Sequence, residues 1–496
     1  MSKNLPSNSS LFASLLLILQ FFTNSNGQGV EATLEMGEAG PQVLKVSGRF
    51  VPEAVLDNKL NFSFQTSIAG VDGIADRITS IELYGPRGEP VSYRKLGPGE
   101  YLASGEYERW TYSVDLKPLR QANAGAHITW ARGETGVLMM ADLLPFKQQR
   151  SSPRIANIDL ILPAGWRAFA ENSPDRVREL VFEDLESAVI PIGPGWRSIA
   201  VSGTPGKLLL SGDWLFTDVE ASRFVNEIYG EYRHLFRTES TRPFTVVLSR
   251  PGDNVPFGTW YAETRGRTVS IVSSDMAFRT QSLQRLHEQL RHELFHLWIP
   301  NGISLTGPYD WFYEGFALYQ SLKTGLALNR IGFGDFLATL GRAHAIDTGQ
   351  GTRAPLIEVS SNRWSGRNTE IYARGLIAAF RADIALLSES NGRVSIGDFL
   401  GEIYSEHQHP APSTDANAAI FAAVDSRPGL RKVFDRFVRG NESIDLGEIN
   451  KLAGIEGTGR GPQTGFKVAA KLTARQKAIL DRLGYNNWRK LSREQK

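Results

Sequence analysis

From residue 28 to 205 the hydrophobic positions come in short alternating runs. Leu60-Asn61-Phe62-Ser63-Phe64 and Trp110-Thr111-Tyr112-Ser113-Val114-Asp115-Leu116 place every second side chain on one face. Ile78 to Tyr84, His127 to Ala131 and Ile155 to Leu162 are further strand candidates, and clusters such as Gly85-Pro86-Arg87-Gly88 and Gly97-Pro98-Gly99 separate them. This pattern predicts an antiparallel β-sandwich or saddle over 28–205. Near Lys207 the period changes. Lys207 to Leu210, Phe244 to Leu248 and Thr268 to Ser273 read as apolar strands. Thr217 to Phe236 reads as an amphipathic helix carrying Phe224, Val225, Ile228, Tyr232 and Leu235. From Trp311 to about Phe437 the pattern is mainly helical, including Glu370 to Ser388 and Ile396 to Tyr404. The fold class expected is α+β, with a β domain followed by a mainly helical domain over 206–455. A Gly-rich linker and one short helix, Thr473 to Leu483, close the chain over 456–496.

Leucines at 283, 286, 290, 294 and 297 recur at three- and four-residue steps, and no Pro or Gly intervenes before Pro300. One helix therefore carries His292-Glu293-Leu294-Phe295-His296, with its two histidines one turn apart and about 40° apart around the axis. Two imidazoles so placed can share one zinc ion, and Glu293 lies beside them, free to act on a water. Seventeen residues separate His296 from Glu314, which stands in Asp310-Trp311-Phe312-Tyr313-Glu314-Gly315-Phe316. Pro300, Asn301, Gly302, Gly307 and Pro308 turn the chain between them, so a second helix can bring Glu314 to the pair as third ligand. Three ligands with a fourth position open suit a catalytic zinc; a closed structural site is usually rich in cysteine, and the chain has none.

These residues resemble the gluzincin metallopeptidases, whose glutamate ligand sits in a W-x-x-E-G context. The resemblance is to the glycyl aminopeptidase family, related to the aminopeptidase N family, and it implies a thermolysin-like catalytic domain and a peptide or protein substrate. Ile371-Tyr372-Ala373-Arg374-Gly375 resembles the Y-x-K-G helix of these enzymes, with Arg374 in place of lysine, followed by Asp383. The resemblance implies that Tyr372 faces the reacting carbonyl. Ala262-Glu263-Thr264-Arg265-Gly266 is similar to the segment whose glutamate binds a substrate's free α-amine in aminopeptidase N relatives. For Glu263 two readings stand side by side, an amine anchor or a hairpin carboxylate in solvent. His287 and the pair His407 and His409 are read as bystanders to the metal site.

Charge and composition narrow the field. Lys and Arg exceed Asp and Glu by two, with no long basic run, which gives no reason to expect a nucleic acid partner or a bound anionic membrane. Lys3 precedes an apolar run from Leu11 to Phe22 and then Ser25-Asn26-Gly27. That is the pattern of a signal peptide over 1–27, too short to span a bilayer, and it predicts a periplasmic or secreted protein with no stable membrane anchor after cleavage. Two alternatives to an aminopeptidase-like zinc enzyme stay open. One is a catalytically silent peptide-binding or scaffold protein of the same fold; the other is an endopeptidase on the same site.

Overall fold

A computed structural model describes residues 29–37, 42–51, 60–121, 123–147, 155–170, 179–182, 184–238, 242–251, 255–349, 351, 353–459 and 464–486. The segment 1–27, expected as a signal peptide, lies outside them. The N-terminal part is built on a seven-stranded sheet in the order Glu179–Phe182, Ala156–Ile161, Val30–Met36, Val43–Phe50, Arg109–Asp115, Ile78–Tyr84, Pro90–Val91. All its pairs are antiparallel except Val30–Met36 with Ala156–Ile161, where Val30 stands opposite Ala156. Alternation decides its faces: Trp110, Tyr112 and Val114 point inward and are buried. A smaller sheet, Asn61–Ser63, Glu100–Ala103 and Tyr93–Gly97, closes over them. The Phe64 ring meets Tyr112 edge-on at 4.8 Å, a favoured aromatic geometry.

One expected strand is different. His127 ends a short helical turn, Ala124–His127, and the strand that follows is Trp130–Arg132. The turn closes because Trp130 Nε1 donates to the Gly125 carbonyl at 2.8 Å, while Gly125 lies close to Val272. This brings His127 against the second sheet.

That second sheet has five strands, ordered Arg197–Ala200, Gly206–Leu210, Phe244–Ser249, Thr268–Ser273, Trp260–Arg265. It begins at Arg197, ahead of the change expected at 206. The three middle strands run parallel, and their residues are buried almost throughout. Trp260–Arg265 turns back at Gly266, with φ of +53°, to form an antiparallel edge. Helix Asp218–Leu235 packs on this sheet and starts from a reciprocal cap between Thr217 and Glu220. An apolar cluster of Trp130, Val137, Met139, Phe169, Val189 and Trp196 with Leu209 and Val247 joins the two parts.

Helices Arg279–Phe295, Asp310–Ala327, Phe333–Thr348 and Asn368–Glu389 form the rest of the site-bearing core. The expected linker after Gly454 is corrected. It holds a hairpin, Ile455–Thr458 with Gly465–Val468, then helix Ala474–Leu483. Ile455, Phe466, Ile479, Leu480 and Leu483 are buried in the same core, which gives this tail an apolar reason to be ordered. Among the described residues, no helix is long and apolar enough to cross a membrane.

Candidate active site

Helix Arg279–Phe295 and the turn after it are buried on every side from Gln289 to Ile299. The face that carries His292, Glu293 and His296 is therefore enclosed by other protein elements, so its polar groups must be satisfied inside the fold. His296 Nδ1 lies 2.9 Å from the Ile299 carbonyl, which only accepts, so Nδ1 carries a proton and Nε2 is the ring nitrogen turned to His292 and Glu314. That Nε2 stands 3.2 Å from His292 Nε2, and Glu314 Oε2 lies 3.2 Å and 3.6 Å from the two nitrogens. These three are a group that could hold a metal among the described residues. Glu314 Oε2 is also buried without a hydrogen bond of its own.

Ligands about 2.0–2.1 Å from a tetrahedral zinc stand about 3.3 Å from one another, so the spacing fits that ion. Burial works against charge on Glu314, but His292, His296 and Arg363 outweigh it and hold its carboxyl well below the ordinary range. It is thus ionised, as a ligand must be.

Glu293 is 4% exposed and faces the edge strand. The Thr264 hydroxyl lies 2.9 Å from its Oε2 and 3.0 Å from its carbonyl. Asn301 ties the same corner together. Its Nδ2 donates to the Thr264 and His296 carbonyls, and its Oδ1 accepts from Gly266 N–H. The sequence offered Asn301 only as a turn residue, and Thr264 only as a neighbour of Glu263.

The Tyr372 ring is 6.2 Å from that of His292. Burial, then the charge of Glu314, push its phenol well above the usual value, so it keeps its proton at neutral pH. The helices carrying Glu314 and Tyr372 cross at Gly315 and Gly375. A Cβ on Gly315 would stand 2.3 Å from Gly375 Cα, and one on Gly375 would stand 2.6 Å from the Trp311 carbonyl oxygen. The two helices therefore meet backbone on backbone.

Arg374, standing where the resemblance expects a lysine, points elsewhere: it is buried and bonds Glu370 and the Ala354 carbonyl. Asp383 is a structural anchor, accepting from Tyr319, Lys323 and Ile396 N–H. A residue absent from the sequence reading reaches the centre instead. Arg363 donates to Glu314 Oε1 at 2.9 Å and to Tyr372 Oη at 3.1 Å.

Glu263 is not a carboxylate standing in solvent, which corrects one of its two readings. His127 Nδ1 lies 2.8 Å from its Oε2, and Arg265 Nη2 lies 2.7 Å from the same oxygen. Burial opposes its charge, yet Arg265 and His127 lower its pKa to about 2. Alternation puts Glu263 and Arg265 on one face of the strand and Thr264, with Glu293, on the other. His287 is clasped between Glu227 and Arg291, and His409 is bonded to Ser304, so both stand apart from the metal group.

No family model matches the sequence, and no curated protein does. Solved structures do match. An aminopeptidase N family protein from Idiomarina loihiensis superposes with a TM-score of 0.70 at 15% identity, covering 86% of this chain and 79% of that one. The chain has the fold of the aminopeptidase N family. A mutant M1 zinc metallopeptidase from Deinococcus radiodurans, bound to a Tyr-Ser-Ala substrate, matches with a TM-score of 0.52 at 14% identity, over 85% of this chain and 95% of that one. A two-domain M1 zinc metallopeptidase mutant bound to L-tryptophan gives 0.53 at 13% identity over the same shares. At these identities the likeness to the aminopeptidase N family is one of fold.

Proposed function

We propose that the chain is a zinc-dependent peptidase, aminopeptidase-like and of the glycyl aminopeptidase branch, holding one zinc on His292, His296 and Glu314. The observation that carries this reading is the buried triangle of two imidazole nitrogens and one unpartnered carboxylate oxygen, with Glu293 and Tyr372 beside it. What zinc supplies in such a site is Lewis acidity toward the scissile carbonyl and a water of lowered pKa. Glu293 takes the proton of the attacking water and passes it to the leaving amine nitrogen. Thr264 fixes its carboxylate meanwhile. Tyr372 donates its hydrogen bond to the carbonyl oxygen as negative charge builds there. The relatives bound to Tyr-Ser-Ala and to L-tryptophan support a peptide substrate. Export of the protein rests on the leader-like sequence of 1–27.

Metal content and turnover of the unmutated chain on free-amine and N-acetylated peptides test the reading. Neither zinc nor cleavage would leave the silent scaffold in its place. Tyr372→Phe is expected to keep zinc and KM while kcat falls by about 10²–10³, the loss typical of one oxyanion donor. Steady-state kinetics check this, and unchanged turnover would make Tyr372 a packing residue.

Glu263 divides exopeptidase from endopeptidase. As an α-ammonium anchor it contributes about 2–3 kcal/mol, so Glu263→Gln is expected to slow cleavage of free-amine peptides by about 30- to 100-fold. N-acetylated peptides, poor substrates already, should change little. The second reading, an endopeptidase, is favoured by one observation: Arg265 and His127 already engage that carboxylate. Equal loss on free and blocked peptides, or efficient internal cleavage of blocked ones, would establish it.

A further inference from the structure

Arg363 lies just ahead of the Tyr372 helix, on the turn Arg363–Arg367, and its side chain is 14% exposed. A guanidinium has five N–H groups in a rigid plane. Here Nε donates to Asn368 Oδ1 at 3.1 Å. Nη1 donates to Asp310 Oδ1 at 2.5 Å and to Tyr313 Oη at 3.1 Å. Nη2 donates to Glu314 Oε1 at 2.9 Å and to Tyr372 Oη at 3.1 Å. Every donor has an acceptor, so none is left over to recognise a substrate carboxylate. The group is built to hold its neighbours.

Two of those neighbours belong to the reaction. Glu314 has two equivalent oxygens, and a carboxylate free to rotate could offer either or both to a metal. With Oε1 bonded to Arg363, only Oε2 faces the histidines. Tyr372 is constrained likewise. Its oxygen accepts from Arg363, so its own O–H must turn away from the guanidinium. Asp310 faces Arg363 from the other side and accepts from Tyr313, whose oxygen in turn accepts from Arg363. The cation is therefore held between two carboxylates, and its position is fixed.

We propose that Arg363 is the positioning residue of this site, setting which oxygen of Glu314 ligates and where the Tyr372 hydroxyl points through one guanidinium. The inference rests on the zinc peptidase reading. Lysine keeps the charge but cannot reproduce the planar fork.

Zinc affinity by chelator competition, and kcat and KM on one peptide, are measured first for the unmutated chain. Arg363→Lys is then expected to weaken zinc by about 10- to 100-fold, the usual effect of losing a group that orients a ligand. At saturating zinc its kcat should fall by about 10²-fold with KM within about twofold, because Arg363 does not touch substrate. The decisive readout is coupling: in a Tyr372→Phe background the same substitution should cost kcat no more than about threefold, since its path through the phenol is already gone.

Zinc affinity and kcat both within about twofold of the unmutated chain would overturn the inference. So would a full loss that persists beside Tyr372→Phe with a raised KM, which would make Arg363 a substrate contact. If circular dichroism shows Arg363→Lys unfolded, Asp310→Asn/Arg363→Gln, which removes both charges of the pair, takes the same measurements and the same criteria. An unmutated chain with no zinc and no cleavage overturns the peptidase reading itself. A working chain indifferent to Arg363 overturns only this inference.

Discussion

Glu293→Gln is expected to fold, to hold zinc as the unmutated chain does, and to lose turnover by about 10³- to 10⁴-fold. The amide fills the same space and can still meet the Thr264 hydroxyl through its carbonyl oxygen, so the corner made by Thr264 and Asn301 stays intact. What it cannot do is take a proton from the attacking water, so it has none to hand to the departing amine. Glu293 is no part of the metal group, so metal content should not follow activity. Zinc analysis beside single-peptide kinetics separates the two. Turnover within tenfold of the unmutated chain would mean another base serves the reaction.

His292→Ala and His296→Ala should each lose stoichiometric zinc, and with it all measurable cleavage. Two remaining ligands cannot hold the ion tightly, and the lost imidazole also uncovers Glu314 Oε2, which is buried with no hydrogen bond of its own. Both variants keep the leucine stripe that packs the helix, and Arg363 still bonds the other oxygen of Glu314, so the fold should survive. Metal per chain after dialysis is the measurement. Full occupancy in both variants would refute these ligands.

How much of this was legible in the sequence depended on how far apart the partners lie along the chain. His292, Glu293 and His296 share one helical turn, and residue type and spacing alone put them on one side of it. Glu314 follows within a single helix–turn–helix, so its neighbours in sequence carried it too, and Tyr372 and Gly375 came through their likeness to a known helix.

Arg363 had no such signal. It stands on a turn with no period, forty-nine residues beyond Glu314, and only the crossing of two helices brings them together. Thr264 and Asn301 meet through folding of the edge strand onto the helix end. His127 was hidden by an alternation that suggested a strand, where Gly125 and Trp130 instead close a turn. The tail after Gly454 looked like a linker because its glycines outnumber its apolar residues locally, yet a few of those side chains are enough to anchor it.

The crossing at Gly315 and Gly375 has a mechanical consequence. Because the two main chains touch there, the separation between the Glu314 and Tyr372 helices is set by van der Waals contact of backbone on backbone rather than by side chains that could repack. The two helices act as a single jaw of fixed shape. The opposite jaw, the strand Trp260–Arg265, is fastened to the helix end through side chains alone at Thr264 and Asn301. Any relative movement of the two must fall on that softer side, and a residue larger than glycine at the crossing would pry the rigid one apart.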